Sequence, residues 1–146
     1  MPTELGQPFS TAWRGKYPNM LREDHPVWNR FLDANPTLFE RIYYDVLVGG
    51  IVPGPEIPGD EKYKRMYWQT TAKRIDAIAE LKDEAWIIEV ATNPGLRAIG
   101  QLQTYLALWF EDPKITKPVK AVLVFDSIDP DLERSLAFYG MLSKRV

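Results

Sequence analysis

The sequence contains no cysteine, so disulfides, thiolate metal sites and cysteine nucleophiles are excluded. Its single histidine, His25, rules out multi-histidine metal centres and argues against a Ser-His-Asp triad. Charge is nearly balanced, with 18 Lys and Arg against 20 Asp and Glu and a formal net charge of -2. A broad electrostatic footprint for nucleic acid is therefore missing, and any DNA contact has to come from a local patch. No apolar run approaches the length of a membrane span. Met1-Pro2-Thr3-Glu4 lacks the basic and apolar stretches of a signal peptide, so production in a cytoplasm is expected. No Gly-Lys-Ser/Thr follows a strand-like run, which excludes a P-loop.

What is present fits one globular domain: 146 residues, 45% hydrophobic, 12% aromatic and 26% charged. Residues 1–24 read as an arm, with Pro2, Pro8 and Pro18 but also Trp13, Tyr17 and Met20. Such an arm packs along its own domain or docks on a neighbour, and the domain proper is expected over 25–146. Asp24 precedes Pro26 as a candidate cap, and Trp28, Phe31 and Leu32 make a helical stripe over 26–34. Phe39 to Val48 alternates as a strand. Residues 49–60, rich in Gly and Pro, form neither helix nor central strand and suit an interface loop. Thr70 to Leu81 alternates again, with Ile75, Ala77, Ala79 and Leu81 on one face. Ala85 to Ala91 is a β-rich run. Asn93-Pro94 signals a helix start, with Leu96, Ile99, Leu102, Gln103, Leu106 and Phe110 on its inner side. Val119 to Phe125 reads as an interior strand, Asp129-Pro130 opens another helix stopped by Gly140, and 141–146 forms a last strand. The order α-β-β-β-α-β-α-β predicts an α/β fold with a mixed sheet of about five strands.

The informative cluster lies in the middle. A symmetric turn centred between Lys82 and Asp83 sets Asp76 opposite Glu89 and Arg74 opposite Ala91. Both carboxylates then share a sheet face, with Cβ atoms about 4.5–5.5 Å apart. Two charges that close repel by up to about 4 kcal/mol at 4 Å and an effective dielectric of 20. A shared proton, a neighbouring cation such as Arg74, or a divalent metal relieves this; two hard oxygen ligands suit Mg²⁺ or Mn²⁺. On the following helix Gln101 and Tyr105 are one turn apart on one face.

These residues carry a resemblance. Arg74-Ile75-Asp76, Ile87-Ile88-Glu89-Val90 and Gly100-Gln101-Leu102-x-x-Tyr105, in that order, resemble the PD-(D/E)XK phosphodiesterase superfamily, and in particular small proteins of tailed bacteriophages with that core. The resemblance spans about residues 40–146 and implies a restriction-endonuclease-like core. It implies Asp76 and Glu89 as ligands of a divalent cation, with Gln101 and Tyr105 as the helix motif of the site. Where the superfamily has a lysine that orients or activates the attacking water, this chain has Ala91. Losing a positioned acid–base group costs about 10²–10⁴ in rate. Arg74 stays protonated and cannot act as a base. Lys73 has the wrong parity unless a bulge re-aims it.

The expectation is therefore a nuclease fold whose catalysis is lost or weak, used as a structural or binding component. By resemblance it belongs in a bacteriophage virion, at the head–tail connector, neck or head-completion stage. The arm and loop 49–60 would contact other virion proteins or a second copy of the chain. The alternative is a metal-dependent DNA nuclease, and a third possibility is a non-cutting DNA-binding regulator. Lys73 and Arg74 are the candidate DNA contacts. Further basic residues lie among Lys62, Lys64 and Arg65 and among Lys114, Lys117, Lys120, Lys144 and Arg145, and Gly-Leu-Arg at 95–97 could meet a phosphate.

Overall fold

Five stretches, three of them rich in β-branched and aromatic residues, pair into one sheet in the computed structural model, which describes residues 2–146. Met1, where the expected arm begins, lies outside the described residues. The strands are β1 (Arg41–Val48), β2 (Lys73–Glu80), β3 (Ala85–Ala91), β4 (Val119–Phe125) and β5 (Leu142–Arg145), in sheet order β1-β2-β3-β4-β5. The first two pairings are antiparallel and the last two parallel. Four helices flank the sheet: α1 (His25–Ala34), α2 (Glu61–Thr71), α3 (Arg97–Glu111) and α4 (Pro130–Phe138). This is the expected mixed α/β sheet, with one helix more than the sequence pattern predicts.

The extra helix is α2. Only its Trp68 is buried, so it leaves almost no apolar stripe to read. It starts because the Asp60 side chain accepts the Tyr63 N–H at 2.8 Å. It also delays β2 to Lys73, three residues later than the alternation from Thr70 suggests. A second correction concerns α3, which begins at Arg97 with Leu96 at its cap position. Asn93 does not cap it. The preceding residue, Thr92, is already tied down: its N–H reaches Asp24 Oδ1 at 2.8 Å, and its carbonyl accepts the N–H groups of Asp126 and Ser127. Asp24 likewise precedes α1 but spends its carboxylate on Thr92 rather than on the helix. The buried side of α3 is Ala98, Leu102, Tyr105 and Trp109, whereas Leu96, Gln103 and Phe110 are exposed. The large rings of Tyr105 and Trp109 turn the helix toward the sheet. At α4, Asp129 accepts the Asp131 N–H at 2.7 Å ahead of Pro130, and Gly140 follows the helix with φ 73°.

The sheet separates two cores. On one face α1 packs Trp28, Phe31 and Leu32 over Ile42, Ala77, Trp86 and Ile88. The arm joins this face. Glu4 bridges Leu47 and Phe9 bridges Ile42 along the free edge of β1, and Tyr17 and Met20 are buried. An exposed strand edge is a template for aggregation, and the arm covers this one. On the other face α3 sets Tyr105 and Trp109 over Val46, Ile75, Ile78 and Ile87, and α4 packs with α3 on Leu123 and Phe125.

One irregularity positions the site. Ile42 and Tyr44 face α1, yet Val46 and Val48, at the same parity, lie beneath α3. β2 does the same: Ala77 and Ala79 face α1, while Ile75 lies under α3. The expected common face for Ile75, Ala77 and Ala79 is thus corrected. The switch falls where the β1–β2 ladder skips from Tyr44–Ala77 to Val46–Ile75, leaving Asp45 across from Asp76. Asp45 has φ 52°, a left-handed backbone inside a strand, and this twist exchanges the faces of the β1 residues beyond it, with β2 switching alongside.

Candidate active site

The β2–β3 hairpin has the predicted register. Ala77 pairs with Ile88, Ile78 with Ile87 and Ala79 with Trp86. The ladder ends there, and one step further Asp76 and Glu89 project to the α3 side. Their carboxyl groups are in hydrogen-bonding contact. Asp76 is only 6% exposed. Its Oδ2 accepts the Val90 N–H at 3.0 Å, which fixes the side chain across the end of the ladder. Its Oδ1 accepts from Asn19 Nδ2 at 3.2 Å, and the same amide donates to the Arg74 carbonyl. Glu89 Oε1 is buried with no partner.

Burial raises both carboxyls above the ordinary carboxylate range. Glu89 moves further because the Asp76 charge adds to its desolvation. Asp76 is restrained by the Val90 N–H and the contact with Glu89. The pair therefore holds a proton at neutral pH, chiefly on Glu89. Asp24 stands nearby, and its charge raises both. Tyr105 is raised by burial and then by the charges of Glu89 and Asp76, while the neighbouring Gln101 side chain acts in the opposite direction. Asp76, Glu89, Gln101 and Tyr105 thus line one cavity of about 510 Å³.

Ala91 lines the same cavity, so a methyl occupies the position at which the resemblance places a lysine. Arg74 does not neutralise the acids or face Ala91. Its guanidinium makes a two-point ion pair with Asp45, at 2.8 and 2.7 Å. Lys73 behaves differently. The face switch at Asp76 turns it to the α3 side, where it lines the carboxyl cavity and a neighbouring one. Its ammonium donates to the Thr71 carbonyl at 3.4 Å, at the rim. Sequence parity points Lys73 away; the face switch between Ile75 and Ala77 that reverses it carries no signal in the pattern.

Two contributors lie outside the sequence reading of the site: Asp24 reads as a helix cap, and Asn19 lies in an arm with no periodicity. Arg97 belongs to the Gly-Leu-Arg segment expected to meet a phosphate. Arg97 sits at the cavity rim and its charge counters the upward shift of Glu89. The distal basic residues are largely engaged. Lys117 bridges Glu40 and Glu80, Lys114 pairs with Asp112, Lys120 pairs with Glu84, and Lys144 lies over Trp86.

Among the described residues no group of three or more His, Cys, Asp or Glu side chains is arranged to hold a metal. The two-acid set nevertheless fits Mg²⁺ or Mn²⁺, which take one or two protein carboxylates and fill the remaining positions with water and substrate phosphate. The unpartnered, buried Glu89 Oε1 is the observation that favours such an occupant. Among the described residues no helix is long and apolar enough to cross a membrane.

No family model and no curated protein matches the chain. Among solved structures it resembles a repair endonuclease from Pyrococcus abyssi. The fold is endonuclease-like. The match has a TM-score of 0.51 and 16% identity, covering 86% of this chain and 48% of that one. The chain thus spans about half the length of that endonuclease, and at this identity the likeness is one of fold.

Proposed function

We propose that the cavity around Asp76 and Glu89 is a divalent-cation-dependent site that hydrolyses DNA phosphodiester bonds slowly. The carrying observation is the meeting of the buried Asp76 with the half-buried Glu89, whose Oε1 is buried without a partner, where the β2–β3 ladder ends. The endonuclease-like fold is consistent with it. Asp76 and Glu89 would hold Mg²⁺ or Mn²⁺, which when bound supplies charge neutralisation at the phosphate and a more acidic water. The Val90 N–H and the Asn19 amide keep Asp76 in one rotamer for that task. Tyr105 stays a neutral phenol at physiological pH, so it donates a hydrogen bond rather than removing a proton. Gln101 orients it. Lys73 shares the face of Glu89 and reaches the phosphate from the rim. With Ala91 in place of an amine, no fixed acid–base group stands beside the acids, and turnover falls by about 10²–10⁴.

Incubation of pure protein with supercoiled plasmid and Mn²⁺ tests this. Slow nicking is expected, lost in Asp76→Asn and Glu89→Gln and weakened in Lys73→Met. Absence of nicking, or nicking that survives Asp76→Asn, overturns it.

A second reading has its own support. Ala91, the proton held between the acids and the Asn19 cap on Asp76 all suit a nuclease fold kept for binding alone. In that reading the chain is a bacteriophage head–tail connector, neck or head-completion component, made in the host cytoplasm and carried into the virion. Loop 49–60 is its docking surface. There Val52, Pro53 and Pro55 border a cavity of about 480 Å³ with Trp68 and Arg65 of α2. Mass spectrometry of purified particles should then find the chain at fixed stoichiometry, with no plasmid cutting.

A further inference from the structure

Asp76 is buried and Glu89 half-buried, and this bears on which DNA can reach them. Asp76 is 6% exposed and lines the 510 Å³ cavity. A second cavity of about 530 Å³ adjoins it, and the two share Lys73, Arg97, Gln101 and Tyr105. Together they form one groove along the N-terminal half of α3. Each part has the volume of a pocket that encloses a small organic ligand, about 300–1,000 Å³.

Two large apolar side chains stand on the rim of this groove. Leu21 lines the carboxyl cavity and is 62% exposed; Leu96 lines the adjoining one and is 76% exposed. Single exposed leucines need no explanation, but these two flank one groove from opposite chain segments. They come from the arm and from the turn before α3, both held by tertiary contacts through Asp24 and Thr92. Arg97, between them, makes no ion pair among the described residues, and the ammonium of Lys73 has only a long contact to a carbonyl.

We propose, building on the nuclease reading, that the substrate of this groove is DNA with unstacked bases: a single strand, or an unpaired stretch within a duplex. Duplex DNA is stiff over about 150 base pairs, and its backbone cannot descend into a pocket without local distortion. A flexible single strand makes that descent freely. Apolar wedges such as leucine insert where bases separate and replace lost stacking with hydrophobic contact. Lys73 and Arg97 supply the matching charge for the phosphates on either side.

The test is fluorescence anisotropy with three labelled oligonucleotides of about 20 nucleotides: a single strand, a full duplex, and a duplex with a central unpaired loop. Ca²⁺ replaces Mn²⁺ to suppress cutting. The single strand and the looped duplex should bind about tenfold or more tighter than the full duplex. The double variant Leu21→Ser, Leu96→Ser, exposed at both positions and therefore compatible with folding, should lose most of that preference. Arg97→Gln should weaken all three alike and flatten the salt dependence. Equal or tighter duplex binding, an unchanged preference in the leucine variant, or no binding of any oligonucleotide overturns the proposal. The nuclease reading fails separately, by absence of plasmid nicking, because the preference is read from binding alone.

Discussion

Replacing Glu89 by glutamine keeps the shape of the side chain and removes its titration. In the folded protein burial and the Asp76 charge raise the Glu89 carboxyl, whereas in the unfolded chain it returns to an ordinary value near 4.5. Above that pH the folded state binds a proton that the unfolded state has released. The raised value makes the sign clear: Glu89 is harmless below pH 4.5 and destabilises increasingly as pH climbs toward its folded value. One proton gives a slope of about 1.4 kcal/mol per pH unit, hence a ceiling of about 4 kcal/mol between pH 5 and 8. The cavity admits water to the pair, so a realised difference of about 1–3 kcal/mol is expected. The glutamine amide can also donate to Asp76, as the carboxyl proton does. Urea unfolding of both proteins at pH 5, 6, 7 and 8, with chelator present, reads this directly. The midpoints should nearly coincide at pH 5 and separate by on the order of 1 M at pH 8, with the variant more stable. A gap independent of pH, or a wild type that gains on the variant as pH rises, would refute the paired-acid geometry.

Other substitutions probe the scaffold that holds the pair. Tyr44→Phe strands the buried Trp28 indole N–H, which now donates to the Tyr44 hydroxyl at 2.9 Å, and should cost about 1–3 kcal/mol in thermal or urea unfolding; an unchanged midpoint would contradict it. Asn19 has φ 51°, so Asn19→Gly should be the milder change and Asn19→Ala about 1 kcal/mol worse, as measured by the same unfolding curves. Asp60→Ala removes the cap of α2 and should destabilise by about 0.5–2 kcal/mol, with faster amide exchange confined to the first turn of that helix.

The sequence makes some of this architecture visible and hides the rest for identifiable reasons. The tight, polar Lys82-Asp83 turn between alternating runs defines the hairpin register, and through it the meeting of Asp76 and Glu89. Gln101 and Tyr105 follow from one helical turn of spacing. The direction of Lys73 and the partner of Arg74 could not be read, because both depend on the paired face switch of β1 and β2 at Asp45 and Asp76. Nothing in Tyr44-Asp45-Val46 marks that switch. α2 stays hidden because its anchor is a single tryptophan amid charged residues, and a lone anchor produces no period. Asn19 and Asp24 reach the acids only through long-range packing of the arm, which local patterns do not encode. The arm itself was legible as an aromatic-bearing segment. Which surface it covers emerges only from its bridges to β1.

The most direct test of the central claim is calorimetric titration of Mn²⁺ into the protein in two buffers of different ionisation enthalpy near neutral pH. The account expects one Mn²⁺ per chain, release of close to one proton from the carboxyl pair on binding, and loss of both signals in Asp76→Asn. Binding without proton release, or binding unchanged by that substitution, would place the cation elsewhere and contradict the assignment of Asp76 and Glu89 as a shared cation site.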